Sequence, residues 1–318
     1  MHTRYEKLKK YGKTRSGKEI VFKMKVNEKK TVLERSYDQL KSIYEEMALQ
    51  PGTLRKIGLK RAWNVIIGSH GQCGLALNFT GMHAVYSEEQ RIADQEKLRT
   101  LIGLSLFDAA ARTISSASLQ ERSIGLACLN ALSQPLRDNE ILEKRGIAPV
   151  YKNIDSFIKK TDVVTVVGHG GVVRDFFGKC REIHVTDMRP KEDFQTTVIG
   201  ETITYGPENI FLHGADENRD LLSRSDFVMI TGSTLVNDTF DELMGWCANA
   251  RVRALYGPSA YLAPEVLFSN GVTLVQQAGI SNPERFEFDM VNDLDMESAL
   301  KMNQMMKHEF LEKENPGK

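Results

Sequence analysis

Cysteine is scarce in this chain and scattered. Cys73, Cys128, Cys180 and Cys247 are its 4 cysteines in 318 residues. With no C-x-x-C pair among them, a disulfide framework or a structural zinc knot is not expected, and the thiols read as reduced. Long apolar runs are missing too: none approaches the ~20 residues of a membrane span. The opening MHTRYEKLKKYGKTRSGKEI has no apolar signal core, so a cytoplasmic protein is expected. Charge of one sign is not in excess, because 42 basic residues balance 42 acidic ones. That balance argues against a nucleic-acid or anionic-membrane partner, although residues 1–30 are locally basic. The G-x-S-x-G elbow, the P-loop G-x-x-x-x-G-K-[ST] and the H-E-x-x-H zinc motif are all absent.

What is present points to a layered α/β protein. A length of 318 residues exceeds what one core usually supports, so two domains are expected, with their boundary near Gly146 to Pro149. Residues 1–30 form a basic arm or hairpin, in which Glu19 to Val26 partly alternates as a strand does. Thr31 looks like the N-cap of a helix reaching about Leu49, since Leu33, Tyr37, Leu40, Ile43, Tyr44 and Met47 recur at helical spacing. Short strands at 54–59 and 63–67 feed a glycine-bearing loop, 68–76. Two helical patterns follow within 101–132, then a charged connector and a helix at about 150–159.

The second half alternates strand and helix, the signature of a parallel sheet covered on both faces. Strands are expected at 163–167, 183–185, 196–198, 226–231, 252–256 and 272–275. Asn237-Asp238-Thr239 supplies caps for a helix around Phe240 to Trp246, and a C-terminal helix spans 292–311.

The stretch VVTVVGHGGVVRDFFGKCREIHVTD (163–187) organises this half. A β-branched run ends in Gly168-His169-Gly170, and Asp187 closes the next short run about 20 residues on. A dinucleotide-binding fold places there the acid that meets a ribose hydroxyl. The fingerprint G-x-G-x-x-G is met at Gly168 and Gly170, but Val173 occupies its third position. Two more strands end in polar glycine-bearing loops, Gly232-Ser233-Thr234 and Gly257-Pro258-Ser259. Ligands of open α/β sheets sit at the carboxyl ends of the strands, and such loops turn backbone N–H groups toward an anion. For His169 the residues leave three roles open: metal ligand, general base or hydrogen-bonded loop histidine. His70 and Cys73, with His83 beyond, are soft donors in one loop and compatible with a transition-metal ion.

The run Ile230-Thr231-Gly232-Ser233-Thr234-Leu235-Val236-Asn237-Asp238-Thr239, followed by Gly257-Pro258-Ser259 and Pro264, resembles the putative heavy-metal-chelation family. Val167-Gly168-His169 and the segment from Ser123 to Leu132, with its Asn130-Ala131 pair, are similar to further landmarks of that family, in the same order. The resemblance implies an enolase N-terminal-like α+β domain at 31–147 and a Rossmann-like domain at 148–318. It implies a ligand site in the cleft between them. His169, Gly232, Ser233, Thr234, Asn237, Thr239, Gly257, Pro258 and Ser259 would line one wall, with Gly74 and Asn130 approaching from the other. The sequence departs from the family pattern in Gly170-Gly171 and in its basic arm.

The leading expectation is a protein that binds a small anionic or chelating ligand in metal or metal-cofactor handling. The alternatives are a Rossmann-type enzyme holding a nucleotide or S-adenosylmethionine-like cofactor through Asp187, and a non-catalytic, homo-oligomeric assembly protein. No catalytic residue is assigned.

Overall fold

The computed structural model describes residues 6–13, 19–25, 30–59, 63–79, 88–189, 209–291 and 306–313. The basic arm is a hairpin: β1 (Glu6–Lys13) and β2 (Glu19–Lys25) pair antiparallel.

Helix α1 (Val32–Glu46) starts where the sequence predicts, because Thr31 and Glu34 form a reciprocal capping box. Its apolar stripe is buried at Leu33, Leu40, Ile43 and Tyr44. Strands β3 (Leu54–Leu59), β4 (Trp63–Gly68) and β5 (Cys73–Leu77) make an antiparallel sheet in the order β3-β4-β5. Most of the expected 68–76 loop is therefore strand. Helix α2 (Glu88–Arg99) and helix α3 (Leu106–Thr113) precede α4 (Leu119–Ser133), which is buried along its whole length. A Cβ on Gly74 would lie 1.8 Å from the Ala127 carbonyl oxygen, so only glycine lets β5 press against α4.

After helix α5 (Asn139–Lys144) the chain enters the large sheet. Strand β6 (Ile147–Val150) ends the expected connector, and a 3-10 turn (Ile154–Phe157) stands where the sequence predicts a helix at about 150–159. Pro149 and the β-branched residues at both ends of β6 suit an edge strand. The parallel strands are β7 (Val163–Val167), β8 (Glu182–Asp187), β9 (Ile210–Gly214), β10 (Phe227–Thr231), β11 (Val252–Gly257) and β12 (Leu274–Ile280). Strand β13 (Met306–Lys313) pairs antiparallel with β12 and overturns the helix expected there. The expected 196–198 strand lies outside the described residues, and β9 is a strand the sequence reading missed.

The sheet order is β6-β13-β12-β11-β10-β7-β8-β9. Its parallel part, β12-β11-β10-β7-β8-β9, is the doubly wound order of dinucleotide-binding folds, and the order reverses between β7 and β10. Alternation explains the continuous apolar runs: Val228 and Ile230 face a core shared with the first half of the chain, while Phe227 and Met229 face a second core under Val173 and Phe176. Short helices α6 (Asn218–Ser223), α7 (Phe240–Trp246) and α8 (Glu265–Ser269), then α9 (Pro283–Val291), complete the described elements. No described helix is long and apolar enough to cross a membrane.

Candidate functional site

The carboxyl ends of the parallel strands bring most of the expected residues into one continuous set of loops. Gly168 follows β7 with φ +87°, and its N–H donates to the Thr186 carbonyl of β8 at 2.8 Å. Its own carbonyl accepts from the Tyr256 hydroxyl at the end of β11, and a Cβ on it would crowd Thr231 of β10 at 2.6 Å. The loop after β7 is thereby bound to three neighbouring strands. The His169 N–H donates to Asp187 Oδ2 at 2.8 Å.

Asp187 is the rim's electrostatic anchor. Oδ1 accepts from the Arg189 N–H and Nε, each at 2.9 Å, and Oδ2 accepts from Arg189 Nη2 at 2.8 Å as well as from His169. Burial pushes the carboxyl upward, but the Arg189 guanidinium and these N–H groups outweigh it and hold Asp187 below the usual carboxylate range. Both oxygens are thus committed within the protein. For His169 burial acts first and the Arg189 charge adds to it, so the imidazole lies below its ordinary value and is neutral at neutral pH. Arg174 also faces it and is exposed, with no ion pair among the described residues.

The loop after β10 folds on its own hydroxyls. Ser233 Oγ donates to Thr231 Oγ1 at 3.2 Å, and Thr234 Oγ1 donates to the Thr231 carbonyl at 2.7 Å. Asn237 Oδ1 accepts from Thr239 Oγ1 at 2.7 Å, so Thr239 serves the loop and makes no side-chain cap to α7. Asn237 Nδ2 in turn reaches Met188 Sδ at 3.2 Å and joins this loop to the end of β8. A Cβ on Gly232 would meet the Ala260 nitrogen at 2.5 Å, which packs the loop directly on the one after β11.

The other half of the chain closes on that last loop. Ser259 Oγ accepts from the Leu77 N–H at 3.0 Å, and Asn130 Nδ2 donates to the Leu75 and Pro258 carbonyls at 2.7 and 3.3 Å. Ser133 Oγ accepts from the Ala263 N–H at 2.9 Å. Gly257, with φ +95°, lets the chain turn into this contact. Gly74, Asn130, Pro258 and Ser259 are therefore parts of a buried seam, and each hydrogen bond in it contributes about 0.5–1.5 kcal/mol net.

The donors expected around 70–83 behave otherwise. His70 is exposed at the β4–β5 turn. Cys73 is buried at the start of β5, where burial, and then the charge of Glu287, pushes its thiol up to about 12. His83 lies outside the described residues. Among the described residues no three His, Cys, Asp or Glu side chains stand together as metal ligands, so His70 and Cys73 do not form a centre with His169. The sequence reading missed Arg189, Tyr256 and Met188, which fix the rim. Their signal was position: each lies within two residues of a strand end already singled out.

Residues 152–289 match the model of a family described as putative heavy-metal chelation, and residues 42–133 match a second model with the same description. The chain belongs to this putative heavy-metal-chelation family. An uncharacterised protein of Methanocaldococcus jannaschii is 27% identical over 224 residues, covering 70% of this chain and 76% of that one. Two crystal structures of family members of unknown function share the fold. That from Desulfitobacterium hafniense has a TM-score of 0.61 and 21% identity, over 87% of this chain and 99% of the other. That from Pyrococcus horikoshii has a TM-score of 0.62 and 18% identity, over 88% and 99%.

Proposed function

We propose that the chain binds a small anionic chelating molecule together with its metal ion at the carboxyl edge of the parallel sheet, beside His169. The observation that carries this reading is the rim itself. At the switch between β7 and β10, a neutral imidazole is held on a loop bound to three strands, next to the exposed cation Arg174. A neutral imidazole is a donor for borderline transition-metal ions. One imidazole is too few for a bare ion, which takes about four donors in a zinc-like site. The remaining donors would come from the chelating ligand, whose negative charge Arg174 complements. The family's description agrees with a metal-related role.

Thermal unfolding with nickel citrate tests the proposal. Nickel citrate should stabilise the native chain more than nickel chloride does, and His169→Ala should abolish that excess. Equal stabilisation of wild type and His169→Ala would overturn it.

The strand order favours a second reading, a nucleotide-type cofactor. The Asp187 geometry weighs against it, because the carboxylate that would meet a ribose already accepts hydrogen bonds from Arg189 and His169 at both oxygens.

A further inference from the structure

Two strands away from β10, on the face of the sheet covered by α6, a pair of histidines occupies a position that no part of the rim explains. His184 sits mid-β8 between Ile183 and Val185 and is 4% exposed. His213 lies in β9, where the register pairs it with Thr186, so the side chains of 184, 186 and 213 share one face. His184 Nδ1 and His213 Nε2 are 3.0 Å apart. The outer nitrogens each meet a carboxylate: His184 Nε2 is 3.2 Å from Glu182 Oε2, and His213 Nδ1 is 2.7 Å from Glu217 Oε2. Phe211 stacks on the His184 ring at 5.2 Å and holds its plane.

A proton count decides what this arrangement needs. An ionised carboxylate only accepts, so each outer nitrogen must carry N–H. Two neutral imidazoles have just those two protons to give, which leaves both inner nitrogens with lone pairs facing each other across 3.0 Å. Either one ring turns its N–H inward and leaves its carboxylate without a donor, or an electron-pair acceptor lies between the two nitrogens.

Independent observations favour an ion. Thr186, two residues from His184 and the register partner of His213, is 0% exposed, and its Oγ1 has no hydrogen-bond partner. Asn218, the residue after Glu217, is 7% exposed, and its Oδ1 has none either. Buried oxygens of this kind ordinarily have partners. Carboxylates on the far nitrogens are the usual support of metal-bound histidines, because they fix the tautomer.

We propose that His184 and His213, with Thr186 on the same face of the sheet and Asn218 next in the chain to Glu217, bind a borderline divalent transition-metal ion such as zinc or cobalt. Glu182 and Glu217 are the positioning residues. Nitrogens bound at about 2.0–2.1 Å to a tetrahedral ion lie about 3.3–3.4 Å apart, so the rings need to part by only a few tenths of an ångström. This is a two-histidine site, consistent with the lack of any group of three His, Cys, Asp or Glu ligands among the described residues. The charged groups facing the pair are Glu182, Glu217 and Arg224, with Arg181 3.5 Å from Glu182.

Calorimetric titration of the whole chain with zinc chloride tests the site, and cobalt absorption reports its geometry. Saturation at one ion per chain is expected. His213→Asn should abolish the binding, and Glu217→Gln, at a half-exposed carboxylate that the fold tolerates, should weaken it about 10–100-fold. His169→Ala should leave it unchanged, which separates this site from the rim. No saturable zinc or cobalt binding, or binding that survives both His213→Asn and Glu217→Gln, would overturn the assignment.

Discussion

The loops after β7 and β8 and the loops after β10 and β11 lie along one sheet edge, yet their polar groups have different work. Around Ser259 the hydroxyls and amides bind the two halves of the chain together: Leu77, Asn130 and Ser133 all reach into the 258–263 segment. Around Asp187 they brace one another, with Arg189 and the His169 N–H saturating the carboxylate. The same residue types thus make a seam in one place and a rim in the other. Hydrogen bonds to the partner half mark the seam. A charged clamp with a neutral donor beside it marks the rim.

The sharpest way to break this distinction is to overfill the seam. Gly74→Val places side-chain atoms where the Ala127 carbonyl already stands, 1.8 Å from the ideal Cβ. It should cost about 3 kcal/mol or more in urea unfolding. An unchanged midpoint would show that β5 and α4 are not held as described.

Next in size is the rim's clamp. Asp187→Asn removes the charge from a set of charge-assisted hydrogen bonds and should cost about 1.5–3 kcal/mol at neutral pH. The native carboxyl lies below its unfolded value, so its contribution is present above about pH 4 and is lost as pH falls through the folded-state value. The stability gap between wild type and Asp187→Asn should therefore hold from pH 8 to about 5 and close in acid. A gap that widens in acid would contradict the clamp.

Ser259→Ala leaves the Leu77 N–H of the seam without its acceptor and should cost about 1–3 kcal/mol. Its ligand response should match wild type, since the hydroxyl belongs to the seam. A loss of ligand response with native stability would move Ser259 to the rim.

A smaller effect concerns pH alone. Because the His169 imidazole lies below its ordinary value, ligand-dependent stabilisation should persist below pH 6.5, where a free imidazole would be half protonated. Thermal shifts measured from pH 5 to 8 check this.

Much of the fold was legible from local signals. The Thr31–Glu34 box and the β-branched runs of β7 and β10 each announce their element, because capping and two-faced burial write themselves into adjacent residues. Strands β6 and β13 were not, since their pairing is set by distant partners, β6 is short and β13 carries no β-branched residue. In the site, the glycine-bearing strand ends were legible as loops. Whether Ser259 and Asn130 serve a ligand or the seam depended on which surface of the other half reaches them, and no spacing in the sequence encodes that. Arg189 lay two residues past an acid already singled out, yet its pairing with that acid appears only once the chain turns back at the end of β8.

His169 is proposed to contribute a donor to a chelated metal at the β7–β10 switch. Titration of backbone amide spectra with cobalt citrate, in His213→Asn to silence the β8–β9 histidines, tests it most directly. Paramagnetic broadening centred on residues 168–170 and 187–189 is expected, lost when His169→Ala is added. Broadening that is uniform over the surface, or unchanged by His169→Ala, would contradict it.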